Sequence, residues 1–216
     1  MVTIYATNIS KLPEPKDVPQ IMEGLPQERK EKILRCRLAE KRKQSLGAGL
    51  LLEHVLRLHG KRSSDICFGA NGKPELNGLF FNLSHAGDIA VCAVSDKAVG
   101  CDVEKVAAEP KHIAERFFCK SENNYLDDLD GKARENEFFR IWTLKESYMK
   151  MTGEGMRLAL NRMEFVFGES VMVYRDGKLC PCAIKEYDIP GYKCSVCSED
   201  MEFANDLQWV ECANEE

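Results

Sequence analysis

The chain has 216 residues, of which 44% are apolar and 30% charged, with a formal net charge of −5. That balance suits one compact unit or two small subdomains and excludes disordered and fibrous classes. No apolar run reaches the roughly eighteen residues of a membrane helix, and residues 1–8 lack the basic and apolar blocks of a signal peptide, so a cytoplasmic protein is expected.

Residues 2–8 alternate as a strand does. Residues 27–43 and 45–59 read as two helices, interrupted near Gly47 and Gly49. Three short β-type runs follow at 79–83, 89–94 and 99–104, separated by Gly and Asp turns in the manner of an antiparallel meander. Pro110 starts a helix that reaches Phe118, Ser121 caps the next, and a long helix over 133–152 is stopped by Gly153. From Met163 onward strands dominate again. This order predicts an α+β fold in two halves, residues 1–101 and 102–216. A weak echo between 88–96, with Val-Cys-Ala-Val, and 192–200, with Ser-Val-Cys-Ser, agrees.

Ten cysteines without a secretory signal read as reduced and mostly buried rather than as a disulfide framework. Cys180, Cys182, Cys194 and Cys197 have a spacing from which a zinc site could be drawn. Cys194 and Cys197, however, lie three apart on a strand and face opposite sides.

Two stretches carry chemistry. In the strand ending Gly100, Cys101, Asp102, Val103, Glu104, the two acids project to one face, about 6.6 Å apart at their backbones, while Cys101 and Val103 pack on the other. On the long helix, Trp142, Glu146 and Lys150 fall within one arc, beside Lys145 and Met149. Hard carboxylate oxygens suit Mg²⁺, which takes one or two protein carboxylates and completes its octahedron with water and phosphate oxygens. Asp102, Glu104 and Glu146 fit that description. The same residues also fit a solvated strand face and an ordinary i,i+4 ion pair.

Taken together, the motifs resemble those of the phosphopantetheinyl transferases, in particular the large monomeric type that activates nonribosomal peptide and polyketide synthases. Gly100, Asp102 and Glu104 match that family's Gly-x-Asp-x-Glu strand, and Trp142, Lys145, Glu146 and Lys150 match its Trp-x-x-Lys-Glu helix. Gly72, Lys73 and Pro74 resemble its Gly-Lys-Pro turn, and Phe81, Asn82, Ser84 and His85 its Phe-Asn-x-Ser-His segment. Arg116, Phe117 and Phe118 with Glu122, and the turn Pro190, Gly191, Tyr192, Lys193, complete an ordered set spanning 71–193. The basic stretch at the N-terminal side and the linker 123–136 match less closely.

The resemblance implies two similar halves, each a small antiparallel sheet packed with helices, with the active site in the cleft between them. It implies coenzyme A as substrate and Mg²⁺, or Mn²⁺ in its place, held by Asp102, Glu104 and Glu146. A serine of an apo acyl or peptidyl carrier protein would attack the phosphorus bearing the pantetheine arm, and adenosine 3′,5′-bisphosphate would leave. Glu146 is the candidate proton acceptor, although a metal-bound carboxylate is a poor base, and Lys150 would stabilise phosphate oxygens. Lys73, in a stiff turn, and Ser84 with His85 are expected to contact coenzyme A. Arg29, Lys32 and Lys43 fall near positions that meet the nucleotide phosphates in relatives. The carrier is expected to dock on residues 105–128, through Lys111, Arg116, Lys120 and the Phe117–Phe118 pair, part of which belongs to the core. A Mg-dependent phosphohydrolase, or an inactive coenzyme-A-binding relative, would be the alternative. A nucleic-acid binder fits poorly, because the chain is acidic and its basic stretch lacks stacking aromatics.

Overall fold

The computed structural model describes residues 1–69 and 71–212. In chain order its elements are β1 (Thr3–Asn8), α1 (Gln27–Arg35), α2 (Ala39–Leu58), β2 (Cys67–Phe68), β3 (Pro74–Glu75), β4 (Phe80–Ala86), β5 (Ile89–Ser95) and β6 (Val99–Lys105). There follow α3 (Ile113–Phe117), α4 (Lys120–Asp127), α5 (Gly131–Thr152), β7 (Met163–Val166), β8 (Met172–Arg175), β9 (Lys178–Leu179), β10 (Ala183–Ile189), β11 (Tyr192–Ser198) and β12 (Gln208–Trp209). The α+β class expected from the sequence is the one observed.

Two sheets form the centre, one ordered β12-β1-β5-β4 and the other β10-β11-β6. Apart from the short parallel pairing of β1 with β12, both are antiparallel. They meet face to face over a shared apolar layer that includes Ile4, Ala6, Val91 and Ala93 from one and Val99, Cys101, Val103 and Val196 from the other. On the outer face of the first sheet α2 lays down Leu46, Leu51 and Val55 against Phe81, Cys92 and Val94. On the outer face of the second, α5 places Leu144 and Tyr148 beside Cys197. Leu46, Leu51, Val55 and Leu144 are fully buried, each worth about 1.5–3 kcal/mol by removal from water. The echoing segments noted in the sequence are β5 and β11, the middle strands of their sheets.

Four expected features differ. The helical stretch 27–59 breaks at Cys36, whose backbone is extended, and not near the glycines. Arg42 reaches back from α2 to donate to the carbonyls of Cys36 and Arg37, at 2.7 and 2.8 Å, which satisfies acceptors freed at the break, and it also pairs with Glu14. Gly47 sits inside a continuous helix because a Cβ there would meet Ile9 Cγ2 at 2.2 Å. The meander ends at β5: both its edges are taken by β1 and β4, so β6 leaves the sheet and pairs with β11. Finally, α4 is capped by Cys119 with Glu122 in a capping box, while the Ser121 hydroxyl turns to Glu164. The helix expected from Pro110 begins only at Ile113, whereas α5 ends as foreseen, with Gly153 in the left-handed region at φ 70°.

Helix and sheet approach closely at Gly100 of β6, where a Cβ would lie 2.1 Å from the Ser147 carbonyl oxygen and 2.2 Å from the Met151 nitrogen. Those are backbone atoms of α5, so relief requires moving the helix. Gly100→Ala is expected to cost about 3 kcal/mol by urea denaturation, at the upper end of overpacking effects. Gly24→Ala, at a glycine with nothing within 4 Å, should stay near wild type.

Candidate active site

Strand alternation sends Cys101 and Val103 into the layer between the sheets and leaves Gly100, Asp102 and Glu104 on the face toward α5. The same alternation in β4 turns Phe81 toward the α2 side and Asn82 and Ser84 toward β6. Asn82 Oδ1 accepts from the Cys101 backbone N–H at 3.0 Å, tying together two strands that belong to different sheets.

Asp102 is 3% exposed. Its Oδ1 accepts from Ser84 Oγ at 2.7 Å and from Lys150 Nζ at 2.6 Å, and Lys150 also reaches Ser84 Oγ at 3.1 Å. Its Oδ2 is buried and has no hydrogen-bond partner. Buried polar atoms are almost always partnered, and an orphaned carboxylate oxygen is costly. Burial works against the Lys150 charge, yet Asp102 outweighs it and holds the ammonium's pKa above the ordinary value.

The other two acids feel the same site. Burial, then the Asp102 charge, pushes Glu104 up to about 7, with Glu146 adding to the rise against Lys150 and a hydrogen bond from Trp142. Glu146 is raised by burial and by Asp102, again opposed by Lys150. The Asp102 charge raises both glutamates, and together with the bare buried oxygen of Asp102 the three carboxylates offer hard oxygen donors that a divalent cation would relieve. Among the described residues no three His, Cys, Asp or Glu side chains form a group that could hold a metal ion as it stands. An ion that keeps water and phosphate oxygens in its shell does not need one.

The remaining expected residues divide. His85 is exposed at the end of β4, and partial burial followed by the charges of Lys41, Lys150 and Arg29 lowers its pKa. Arg29 and Lys32 line a cavity of about 500 Å³ together with Pro74, Phe81 and Leu83. Burial depresses the Arg29 pKa, and Glu53 partly restores it. Lys43 lies half-buried on α2 and does not line that cavity. Lys73 Nζ is committed elsewhere, donating to the carbonyls of Met151 at 2.9 Å and Val99 at 3.4 Å. With Asn71 Nδ2, which donates to the Gly153 carbonyl at 3.0 Å, it closes the C-terminal end of α5.

The 4'-phosphopantetheinyl transferase superfamily model matches residues 98–197, which hold β6, α5 and β11. The chain is 31% identical to 4'-phosphopantetheinyl transferase Sfp of Bacillus subtilis (strain 168) over 96% of both chains. The chain belongs to the 4'-phosphopantetheinyl transferase superfamily. It is also 34% identical to the transferase gsp of Aneurinibacillus migulanus, over 71% of this chain and 67% of that one. The crystal structure of Thermotoga maritima holo-[acyl-carrier-protein] synthase overlaps 47% of this chain and 61% of that one at 19% identity and a TM-score of 0.38.

In this phosphopantetheinyl transferase two motif residues have roles that sequence reading did not supply. Trp142 is not only an apolar anchor stacked on Phe118 and Phe138, since it also favours the charged form of Glu104. Lys145, adjacent to Glu146 in the chain, is 0% exposed and points away from the acids. Its Nζ donates to the carbonyls of Leu160 and Met163, at 2.9 and 2.8 Å, and pairs with buried Glu122 at 2.7 Å. Glu122 in turn accepts from the backbone N–H groups of Cys119 and Phe165. The presence of Glu122 beside the Arg-Phe-Phe segment was the available signal, but only the fold reveals the pairing.

Lys145→Met strips the counterion from buried Glu122 and is expected to cost about 3–5 kcal/mol by chemical denaturation. Glu104 supplies a pH test. Its folded pKa of about 7 exceeds the ordinary 4.5, so the folded state holds its proton longer than the unfolded chain. The associated stability is complete below about 4.5 and is lost as pH rises through 7. The melting temperature of Glu104→Gln, measured without ligand, should therefore gain on wild type steadily between pH 5 and pH 8.

Proposed function

We propose that this phosphopantetheinyl transferase moves the 4'-phosphopantetheine arm of coenzyme A onto a serine of an acyl or peptidyl carrier protein and releases adenosine 3',5'-bisphosphate. The reading rests foremost on Asp102: one oxygen saturated by Ser84 and Lys150, the other buried and unpartnered, with Glu104 and Glu146 beside it in charge. Asp102, Glu104 and Glu146 would hold Mg²⁺, which would supply neutralisation of the diphosphate charge. No helix among the described residues is long and apolar enough to cross a membrane.

Arg29 and Lys32, in their cavity under Pro74 and Phe81, hold the nucleotide phosphates, and His85 faces the same anionic substrate among Lys41, Arg29 and Lys150. Lys150 carries its ammonium to the oxygens that gain charge as the bond to phosphorus breaks. The carrier serine oxygen forms the new bond to phosphorus as the bond to the bisphosphate oxygen breaks, and the serine proton goes to Glu146, whose roles as base and as metal ligand compete for one carboxylate. Exposed Lys111, Arg116 and Lys120 offer the carrier a local cationic patch on an acidic protein, with Phe117 half-buried under the Arg116 guanidinium at 5.0 Å. Phe118 belongs to the core. Residues 1–101 and 102–216 are read as related halves, with their junction falling inside β6.

Intact-mass analysis of an apo carrier protein incubated with the enzyme, coenzyme A and Mg²⁺ should show one phosphopantetheine-sized gain, abolished by chelator and by Asp102→Ala. Glu146→Gln should still bind coenzyme A in calorimetry while transfer falls at least about 100-fold, the size of a lost general base. Full activity in that variant would remove Glu146 from both roles.

A further inference from the structure

Lys150 occupies an unexpected place for a residue whose eventual partner is a phosphate. Its ammonium lies 2.6 Å from Asp102 Oδ1 and 3.1 Å from Ser84 Oγ, in the middle of the acid cluster. With Ser84 donating to the same Oδ1 at 2.7 Å, that oxygen is saturated and the Asp102 charge is already balanced by the protein itself. Only Oδ2 stays open. A divalent ion binding there shares one carboxylate with a cation, at a separation of about 5 Å, and like charges at that distance repel by enough to change affinity about tenfold even with the screening of water. Lys150 sits in the last turn of α5 on a flexible four-carbon stem, so its ammonium can leave Asp102 by rotamer changes while the helix stays in place.

We propose that Lys150 is a place-holder for the metal, balancing Asp102 in the empty enzyme and moving to the diphosphate when coenzyme A arrives, so that metal and coenzyme A bind cooperatively. The proposal rests on the assignment of Asp102 as a metal ligand. It follows from reciprocity that the metal tightens coenzyme A by the same factor by which coenzyme A tightens the metal. Ser84 is then a positioning residue that keeps Oδ1 occupied and Oδ2 available after Lys150 has moved.

The test is a titration of the enzyme with Mn²⁺, following free ion by its electron paramagnetic resonance signal, with and without coenzyme A and corrected for binding to coenzyme A alone. In wild type, Mn²⁺ should bind about tenfold or more tightly when coenzyme A is present. In Lys150→Met and Lys150→Gln, each checked for folding by its melting curve, Mn²⁺ alone should bind about tenfold more tightly than in wild type, and the gain from coenzyme A should shrink. Lys150→Arg, which keeps the charge, should leave Mn²⁺ binding without coenzyme A weak. Unchanged or weaker Mn²⁺ binding in both neutral variants, or no synergy in wild type, overturns the proposal. If Asp102→Ala leaves Mn²⁺ binding in the presence of coenzyme A untouched, the metal assignment itself fails, and the place-holder with it.

Discussion

The backbone contact of α5 with β6 at Gly100 is the constraint from which the rest of the site follows. With no side chain on Gly100, the Ser147 carbonyl and the Met151 nitrogen can sit where a Cβ would be. Farther along the same face the sheet offers Ser195, which shares a hydrogen bond of 2.9 Å with Thr143, and Cys197, 3.1 Å from the Ser147 hydroxyl. Small polar groups thus replace the usual thick apolar layer, and the helix lies low enough for Lys150 to reach Asp102 and for Glu146 to feel the Asp102 charge. A helix held at an ordinary 10 Å from the sheet would leave those groups separated.

Once the helix is that close, the electrostatics are forced. Asp102 is almost fully enclosed, and two further carboxylates share its neighbourhood in a medium that screens poorly. One internal ammonium offsets part of that charge, and the residual strain appears as the raised pKa values of Glu104 and Glu146. The empty site is stable enough to fold and unsatisfied enough to bind, which is the usual condition of a preorganised centre.

Much of this could be read from the chain before any coordinates. Period-two alternation in residues 99–104 separates the acids from Cys101 and Val103, and the 3.6-residue repeat places Trp142, Glu146 and Lys150 on one arc. Both hold because each depends only on local geometry. The misses are long-range. Whether β6 joins β5 depends on β1 and β4 having already filled both edges of that strand. The break between α1 and α2 depends on Arg42 and its carbonyl partners, and Gly47, one of the two glycines that suggested a break, makes room for Ile9, which lies far away in sequence. Lys73 reads as a cation in a stiff turn, and only the fold shows that the turn lies on the end of α5, with the ammonium on the Met151 carbonyl. A motif names the residues at a site and leaves open which of them face it.

Lys145 carries that lesson into how such chains change over time. Sequestered from solvent between Glu122 and two main-chain carbonyls, it is a fastener adjoining a catalytic candidate in the same five-letter word. Selection on the fold and selection on the reaction therefore act on adjacent letters for unrelated reasons. A descendant that exchanged Glu146 for an inert residue would keep its helix, its fastener and most of its motif, and would pass as a working enzyme in any comparison that counts matching letters.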